Sequence, residues 1–250
     1  MKNFINELLQ VSSEIICHYY HKGNYGLEEK SNNTPVTKAD RESELAMRSL
    51  IERRFPDHGI IGEEYGNHQE HAEYVWVLDP IDGTIAFIHG VPLFVTLIAL
   101  LKNGQPILGA INQPIAQLCA VGDNQSAWLN GNEVSMRTPE SLQKAVMVAT
   151  DVQNIHRMHS KNGFNDLLAK VQLFRTWGDG FGYLLLASGK ADIMLDAKMA
   201  PWDILPVIPV VRGAGAMITT FSGGDPVTGS SAVTAHPHMH AQVMAMLKAG

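Results

Sequence analysis

Residues 76–84 read WVLDPIDGT, a β-patterned run that ends in two carboxylates and a glycine turn. Asp79 and Asp82 are separated by Pro80 and Ile81, and this spacing predicts a tight turn that brings both acids toward one ion, with rigid Pro80 limiting its flexing. Gly83 permits close backbone approach, and the amides of Gly83 and Thr84 face an anion if a helix begins there. The stretch therefore reads as a cation site beside a phosphate cradle. Alone, Asp-Gly-Thr is a common turn. Its neighbours carry the argument.

Upstream, the Ile60-Ile61 run ends in Glu63 and Glu64; downstream, Asp203 follows Pro201-Trp202. Any one acid at a turn is more often a cap than a ligand. Acids at the ends of several strands, however, can converge on one crevice, whereas acids on helix faces are usually solvated. If Glu63, Asp79, Asp82 and Asp203 do converge, each pair at about 4 Å repels by roughly 4 kcal/mol at an effective dielectric of about 20. Such a site needs cations. The donors are hard oxygens with no cysteine or obligatory histidine, which favours Mg²⁺ or Mn²⁺ over Zn²⁺. Water held by such ions is a good nucleophile at neutral pH, and two ions can stabilise both the attacking and the leaving oxygen. Asp40, which follows Thr37 at the start of a helical pattern, reads locally as an N-terminal cap.

The surrounding chain predicts an α+β protein. Residues 3–22 carry Phe4, Ile5, Leu8, Leu9, Ile15, Ile16 and Tyr19 at helical spacing, with Gly23 as a stop, and residues 38–55 predict a second helix. A polar stretch over residues 22–35 reads as a long loop. Strand patterns follow at residues 60–61, 74–78, 94–101, 106–112 and 117–121, with Asn130-Gly131 as a hairpin tip. From about residue 141 the strands, at 145–150, 172–175, 192–195, 216–220 and 232–235, alternate with helical segments. We expect an N-terminal α+β subdomain over residues 1–140 carrying most metal ligands and a C-terminal α/β subdomain over 141–250, with the site between them. Pro206 fits the first turn of a helix after Asp203, whereas Pro209 should kink it.

With 250 residues, 45% apolar and 18% charged, the chain has material for a sizeable core. A net charge of −6 without basic clusters gives no footprint for nucleic acid or an anionic membrane. Cys17 and Cys119 suit buried thiols in a reducing compartment, no signal-like or membrane-spanning run occurs, and the expected location is the cytoplasm. The run His236, His238, His240 invites a zinc reading, as do His156 and His159, but a turn with exposed imidazoles is the simpler account.

Gly62-Glu63-Glu64, WVLDPIDGT, and Trp202-Asp203 before a helix and Gly213-Ala214-Gly215 resemble the inositol monophosphatase superfamily in order and spacing. That resemblance implies a layered α-β-α-β-α sandwich of the inositol monophosphatase and fructose-1,6-bisphosphatase type. It also implies a homodimer and a Mg²⁺-dependent, commonly lithium-sensitive phosphatase with two or three ions, Mn²⁺ able to substitute. Glu63, Asp79 and the Ile81 carbonyl resemble ligands of a first metal, and Asp79, Asp82 and Asp203 those of a second. Glu63 with water resembles the holder of a third. Gly83 and Thr84 match phosphate-contacting positions, Thr84 and Asp40 match the pair that orients and deprotonates the attacking water, and Glu64 stands just behind the ligands. Residues 92–114, 178–189 and 200–203 are similar to the histidinol-phosphate phosphatase branch. There Asp196 matches a substrate-contacting acid that is usually Glu, Asp179 lies in a segment facing the leaving group, and Asp82 is a further candidate substrate contact. Two such acids suit a cationic amine or imidazole. The expected substrate is L-histidinol phosphate, a small phosphorylated alcohol of histidine biosynthesis. Inositol 1-phosphate, adenosine 3′,5′-bisphosphate and a non-catalytic metal- and phosphate-binding role are the alternatives. An aspartyl-phosphate mechanism fits less well, because its DxDGT motif spaces the acids differently.

Overall fold

The computed structural model describes residues 1–23, 27–29, 35–159 and 161–248. Helix α1 (Lys2–Lys22) buries Phe4, Ile5, Leu8, Leu9 and Ile16 and stops at Gly23, whose left-handed φ of 64° closes the helix as expected of that residue. Of the polar stretch after it, a two-residue ladder is described, β1 (Glu28–Glu29) antiparallel to β2 (Pro35–Val36); the remainder of the expected loop lies outside the described residues. Helix α2 (Lys38–Arg54) begins on a reciprocal capping box between Thr37 and Asp40.

An eight-stranded sheet follows. It comprises β3 (Gly59–Gly62), β4 (Gly66–His68), β5 (Tyr74–Asp82), β6 (Val95–Lys102), β7 (Gln105–Gln113), β8 (Leu118–Gly122), β9 (Ala127–Leu129) and β10 (Asn132–Val134), with helix α3 (Thr84–Ile88) between β5 and β6. The spatial order is β10-β9-β8-β7-β6-β5-β3-β4, antiparallel except where β3 runs parallel to β5. At the β9–β10 tip, Asn130 and Gly131 both take positive φ, 49° and 80°, as a tight hairpin turn of the favoured twist requires.

The second sheet is built from β11 (Val146–Ala149), β12 (Leu173–Arg175), β13 (Ile193–Asp196), β14 (Met217–Thr219) and β15 (Ala232–Ala235) in the order β12-β11-β13-β15-β14. Its helices are α4 (Val152–Met158), α5 (Lys161–Leu168), α6 (Asp179–Ala187), α7 (Pro201–Gly213) and α8 (Pro237–Lys248). The large sheet ends before residue 140 and the small one begins after it.

Alternation along β5 sets the layers. Trp76 and Leu78 face Ile5, Leu8, Met47 and Ile51 of α1 and α2, whereas Val75 and Val77 face the opposite core with Tyr183 of α6 and Val207 of α7. That second core also contains Val148, Met194 and Ile218 of the small sheet, so α6 and α7 lie between the sheets. Phe164, Val243 and Leu247 of α5 and α8 cover the small sheet's other face. The stack is α-β-α-β-α, with both sheets buried on two faces, which is why their strands read as nearly continuous apolar runs.

Two expectations about local structure change. Residues 79–82 do not form a turn: β5 continues to Asp82, with its register on β6 shifting between Asp79 and Asp82. Pro80 sits in that irregular stretch, where its missing N–H costs no ladder bond, and its carbonyl accepts the Thr96 hydroxyl at 2.8 Å. Helix α7 runs without interruption through Pro206, well beyond its first turn, and through Pro209. Burial from Ile204 to Val211 holds it, and β7 and β8 receive it at Gly109 and Gly122, where any Cβ would overlap the α7 backbone. Cys17 and Cys119 are unpaired and half-buried rather than buried.

Candidate active site

The shift in β5 delivers the first two acids. Asp79 leaves the ladder, Asp82 rejoins it, and Gly83, at φ 87°, turns the chain into α3. Asp203 arrives from elsewhere. Pro201 opens α7, where its missing N–H is harmless, and the Asp203 carboxylate bonds back to the Ala200 N–H at 2.7 Å. One carboxylate oxygen from each of Asp79, Asp82 and Asp203 lies within 4.8 Å of the others. They line a cavity of about 380 Å³, with Glu63, Ile81, Gly83, Thr84 and Asp179 also on its wall. The large sheet and helices α6 and α7 therefore share one crevice.

Its electrostatics are those of a cation site. Asp79 is 2% exposed, and its Oδ1 has no hydrogen-bond partner among the described residues. Burial pushes the Asp79 carboxyl well above its ordinary range, and the nearby charges of Glu63, Asp82 and Asp203 push it further. Asp82 is raised by burial first and then by Asp179 and Asp203, although its Oδ2 accepts the Gly180 N–H. Asp203 is pushed up to about 6, again chiefly by burial. Among the described residues, no lysine or arginine forms an ion pair with these three. Clustered hard oxygens, one of them buried and unpaired, fit a hard dication, because protons or cations must relieve the repulsion.

Asp40 combines both of its expected characters. Its Oδ2 accepts the Thr37 N–H (2.8 Å) and hydroxyl (2.5 Å), which is the cap; its Oδ1 is buried without a partner among the described residues. Burial lifts its carboxyl to about 7, with Glu64 and Glu63 adding to the rise and the Thr37 bonds opposing it. Thr84 donates its hydroxyl to the Ile81 carbonyl at 3.0 Å, and it does not bond Asp40 directly. The Glu64 backbone is held from α2, where Glu44 Oε2 accepts its N–H at 2.8 Å.

The two acids expected at the leaving group separate. Asp179 lines the cavity in a left-handed backbone conformation, φ 49°, unusual for a residue other than glycine. Burial, then the charge of Asp151, raises its carboxyl to about 6. Asp196, by contrast, is 6% exposed and is not on the cavity wall. Its Oδ2 accepts the Thr150 hydroxyl at 2.9 Å, and that same hydroxyl accepts the Asp179 N–H at 2.7 Å. An aspartate is one methylene shorter than the glutamate expected there, and it ends on Thr150 instead of the cavity. Sequence reasoning also passed over Lys198, Trp202 and Ile85, which line the cavity. A signal existed for Trp202, adjacent to Asp203; exposed Lys198 carried none.

Among the described residues, His236, His238 and His240 are not gathered as a group of metal ligands. His236 stacks on His238 at 5.0 Å, while His240 is buried against Val233 O and Thr219 Oγ1.

Comparisons with known proteins agree with this geometry. The model of the inositol monophosphatase family matches residues 1–249. The chain is 40% identical over 221 residues to the chloroplastic bifunctional phosphatase IMPL2 of Arabidopsis thaliana, covering 87% of this chain but 63% of that protein, less than two thirds of its length. It is 34% identical over 246 residues to the histidinol-phosphatase of Chlorobaculum parvum, covering 98% of this chain and 95% of that one. Among solved structures, an inositol monophosphatase from Zymomonas mobilis superposes with a TM-score of 0.82 at 31% identity, over 98% of this chain and 96% of that chain.

Proposed function

On the premise that the chain belongs to the inositol monophosphatase family and is a metal-dependent phosphoric monoester hydrolase, we propose that its substrate is L-histidinol phosphate and its metal Mg²⁺. The observation that carries the phosphatase reading is the convergence of Asp79, Asp82 and Asp203 with a buried, unpartnered Asp79 Oδ1. Asp79, Asp82, Asp203, Glu63 and the Ile81 carbonyl would hold two or three ions. Bound there, Mg²⁺ supplies positive charge to the phosphate oxygens and lowers the pKa of water.

The chain's own groups do the rest. Gly83 and Thr84 cradle the phosphate where α3 begins. Water attacks phosphorus, the ester P–O bond breaks, and the departing alkoxide takes a proton from solvent while phosphate remains. Thr84 orients the water, whose proton passes toward Asp40 Oδ1, a buried carboxylate oxygen without a partner among the described residues. Glu64 supports this loop from behind. Subdomains divided near residue 140, a homodimer and a cytoplasmic location belong to the same proposal. Among the described residues, no helix is long and apolar enough to cross a membrane.

Substrate choice rests on Asp179. Its Oδ2 lies 3.2 Å from where a Gly83 Cβ would be, hard against the phosphate cradle, and it stands outside the group of three acids. An anionic wall there favours a cationic leaving group. Lys198, also on the wall, favours a substrate with a second anion, such as adenosine 3′,5′-bisphosphate, as the alternative. Steady-state kinetics on L-histidinol phosphate, inositol 1-phosphate and adenosine 3′,5′-bisphosphate decide between them. Histidinol phosphate should have the highest kcat/KM, and Asp179→Asn should lower that value roughly 10- to 100-fold, as loss of a buried charge contact does, while changing inositol 1-phosphate turnover by less than about threefold. A preference for either other substrate rejects the assignment.

A further inference from the structure

Beneath the loop that carries Glu63 and Glu64 lies a carboxylate with no surface of its own. Glu44, one helical turn beyond Asp40 on α2, is 0% exposed, and Arg48, one turn further, is 7% exposed. Glu44 Oε1 accepts Arg48 Nε at 2.8 Å and the Tyr65 N–H at 3.2 Å, while Oε2 accepts the Glu64 N–H. Arg48 also donates to the Gly66 carbonyl. A Cβ on Gly62 would overlap both Glu44 and Arg48, so the end of β3 rests directly on the pair. Every main-chain residue from 62 to 66 except Glu63 is thus touched by these two side chains.

We infer that Glu44, braced by Arg48, is a positioning residue that sets the path of residues 62–66 and thereby places the Glu63 carboxylate on the wall of the dication site; this rests on the metal-site reading above. Stability does not account for the pair. A buried ion pair contributes little more than apolar side chains of similar volume, and the buried side of α2 also carries apolar Ala39, Met47 and Ile51 beside polar Asp40 and Ser43. What apolar residues could not supply is two acceptors for the consecutive N–H groups of residues 64 and 65. The same helix also bears Asp40, so one rigid element fixes both the proposed base and the loop that holds a proposed ligand.

The test measures Mn²⁺ affinity directly, by electron paramagnetic resonance of free Mn²⁺, alongside thermal unfolding of the same samples. Glu44→Gln has too few acceptors for its present donors, and the Mn²⁺ Kd should rise about 10- to 100-fold, the usual effect of losing an outer partner of a metal site. Turnover should return at high Mn²⁺, which a merely unfolded protein would not show. Should that variant fold poorly, Glu44→Leu combined with Arg48→Met removes both charges together; it should remain folded with a lowered melting temperature, because the N–H groups of residues 64 and 65 lose their acceptors, and still bind Mn²⁺ more weakly by the same factor. Wild-type Mn²⁺ affinity in either folded variant overturns the inference. Glu63→Gln serves as the control: if it leaves Mn²⁺ affinity unchanged, the metal-site reading itself fails, and if it alone weakens binding, only the role of Glu44 does.

Discussion

Asp82→Asn is expected to lower Mg²⁺-supported turnover by about three orders of magnitude while making the metal-free protein more stable. The substitution preserves size, and the amide oxygen can still accept the Gly180 N–H that now binds Asp82 Oδ2. What disappears is one negative charge from a group of three acids packed within 4.8 Å. Electrostatic stabilisation by a bound ion contributes several kcal/mol to such reactions, and about 4 kcal/mol corresponds to roughly 10³ in rate. The stability change has the opposite sign. Asp82 is raised well above its ordinary range by burial, Asp179 and Asp203, so without metal its charged form is unfavourable in the fold, and a neutral amide avoids that cost. Initial rates with saturating Mg²⁺ and melting curves in a chelator check both halves. Unaltered turnover would remove Asp82 from the proposed ligands.

Without metal, the protein should lose stability as pH rises from about 5 to 7.5, and saturating Mg²⁺ should flatten or reverse that trend. Asp40 rises from 3.8 to about 7, and Asp179 and Asp203 each rise from 3.8 to about 6. Over those ranges the folded chain keeps protons that the unfolded chain has released. Their contribution is therefore full below about pH 4 and is lost as pH climbs through the folded-state values. For Asp40 alone the shift corresponds to about 4 kcal/mol, or on the order of 10 °C in melting temperature for a chain of this size. Asp123 shifts the other way, its bond to Lys2 holding it below its ordinary value, so its effect falls beneath this window. A bound dication takes the place of the protons and removes the dependence. Calorimetric melting over this pH range, with chelator and with Mg²⁺, measures it; superimposable curves would mean that the acids are not a metal site.

Helix α1 with its Gly23 stop, the start of α2, the Asn130-Gly131 hairpin and most strands of both sheets, though not β4, were legible because their signals are local: apolar spacing, a cap, a turn dipeptide. The β5 irregularity was not, because Asp-Pro reads as a turn unless the neighbouring strand is known to resume pairing at Val95. Pro206 lies inside α7 rather than in its first turn, tolerated because α7 is buried along much of its length. Glu44 and Arg48 left one faint trace, charges four residues apart among the inward positions of α2.

By itself the sequence determined the α+β character, the acids available to a cation site and the short segments that present them, since each depends on residue type and near neighbours, while the layered stack was only what the family resemblance implied. Tertiary structure alone decided that Asp79, Asp82 and Asp203 share a cavity, that Asp196 ends on Thr150 while Asp179 reaches the wall, and that Glu44 grips the Glu64 loop. These relations join residues up to 124 positions apart, as between Asp79 and Asp203. The separation between such groups is fixed by how helices and sheets pack, to a fraction of a side-chain length, and no local pattern encodes it.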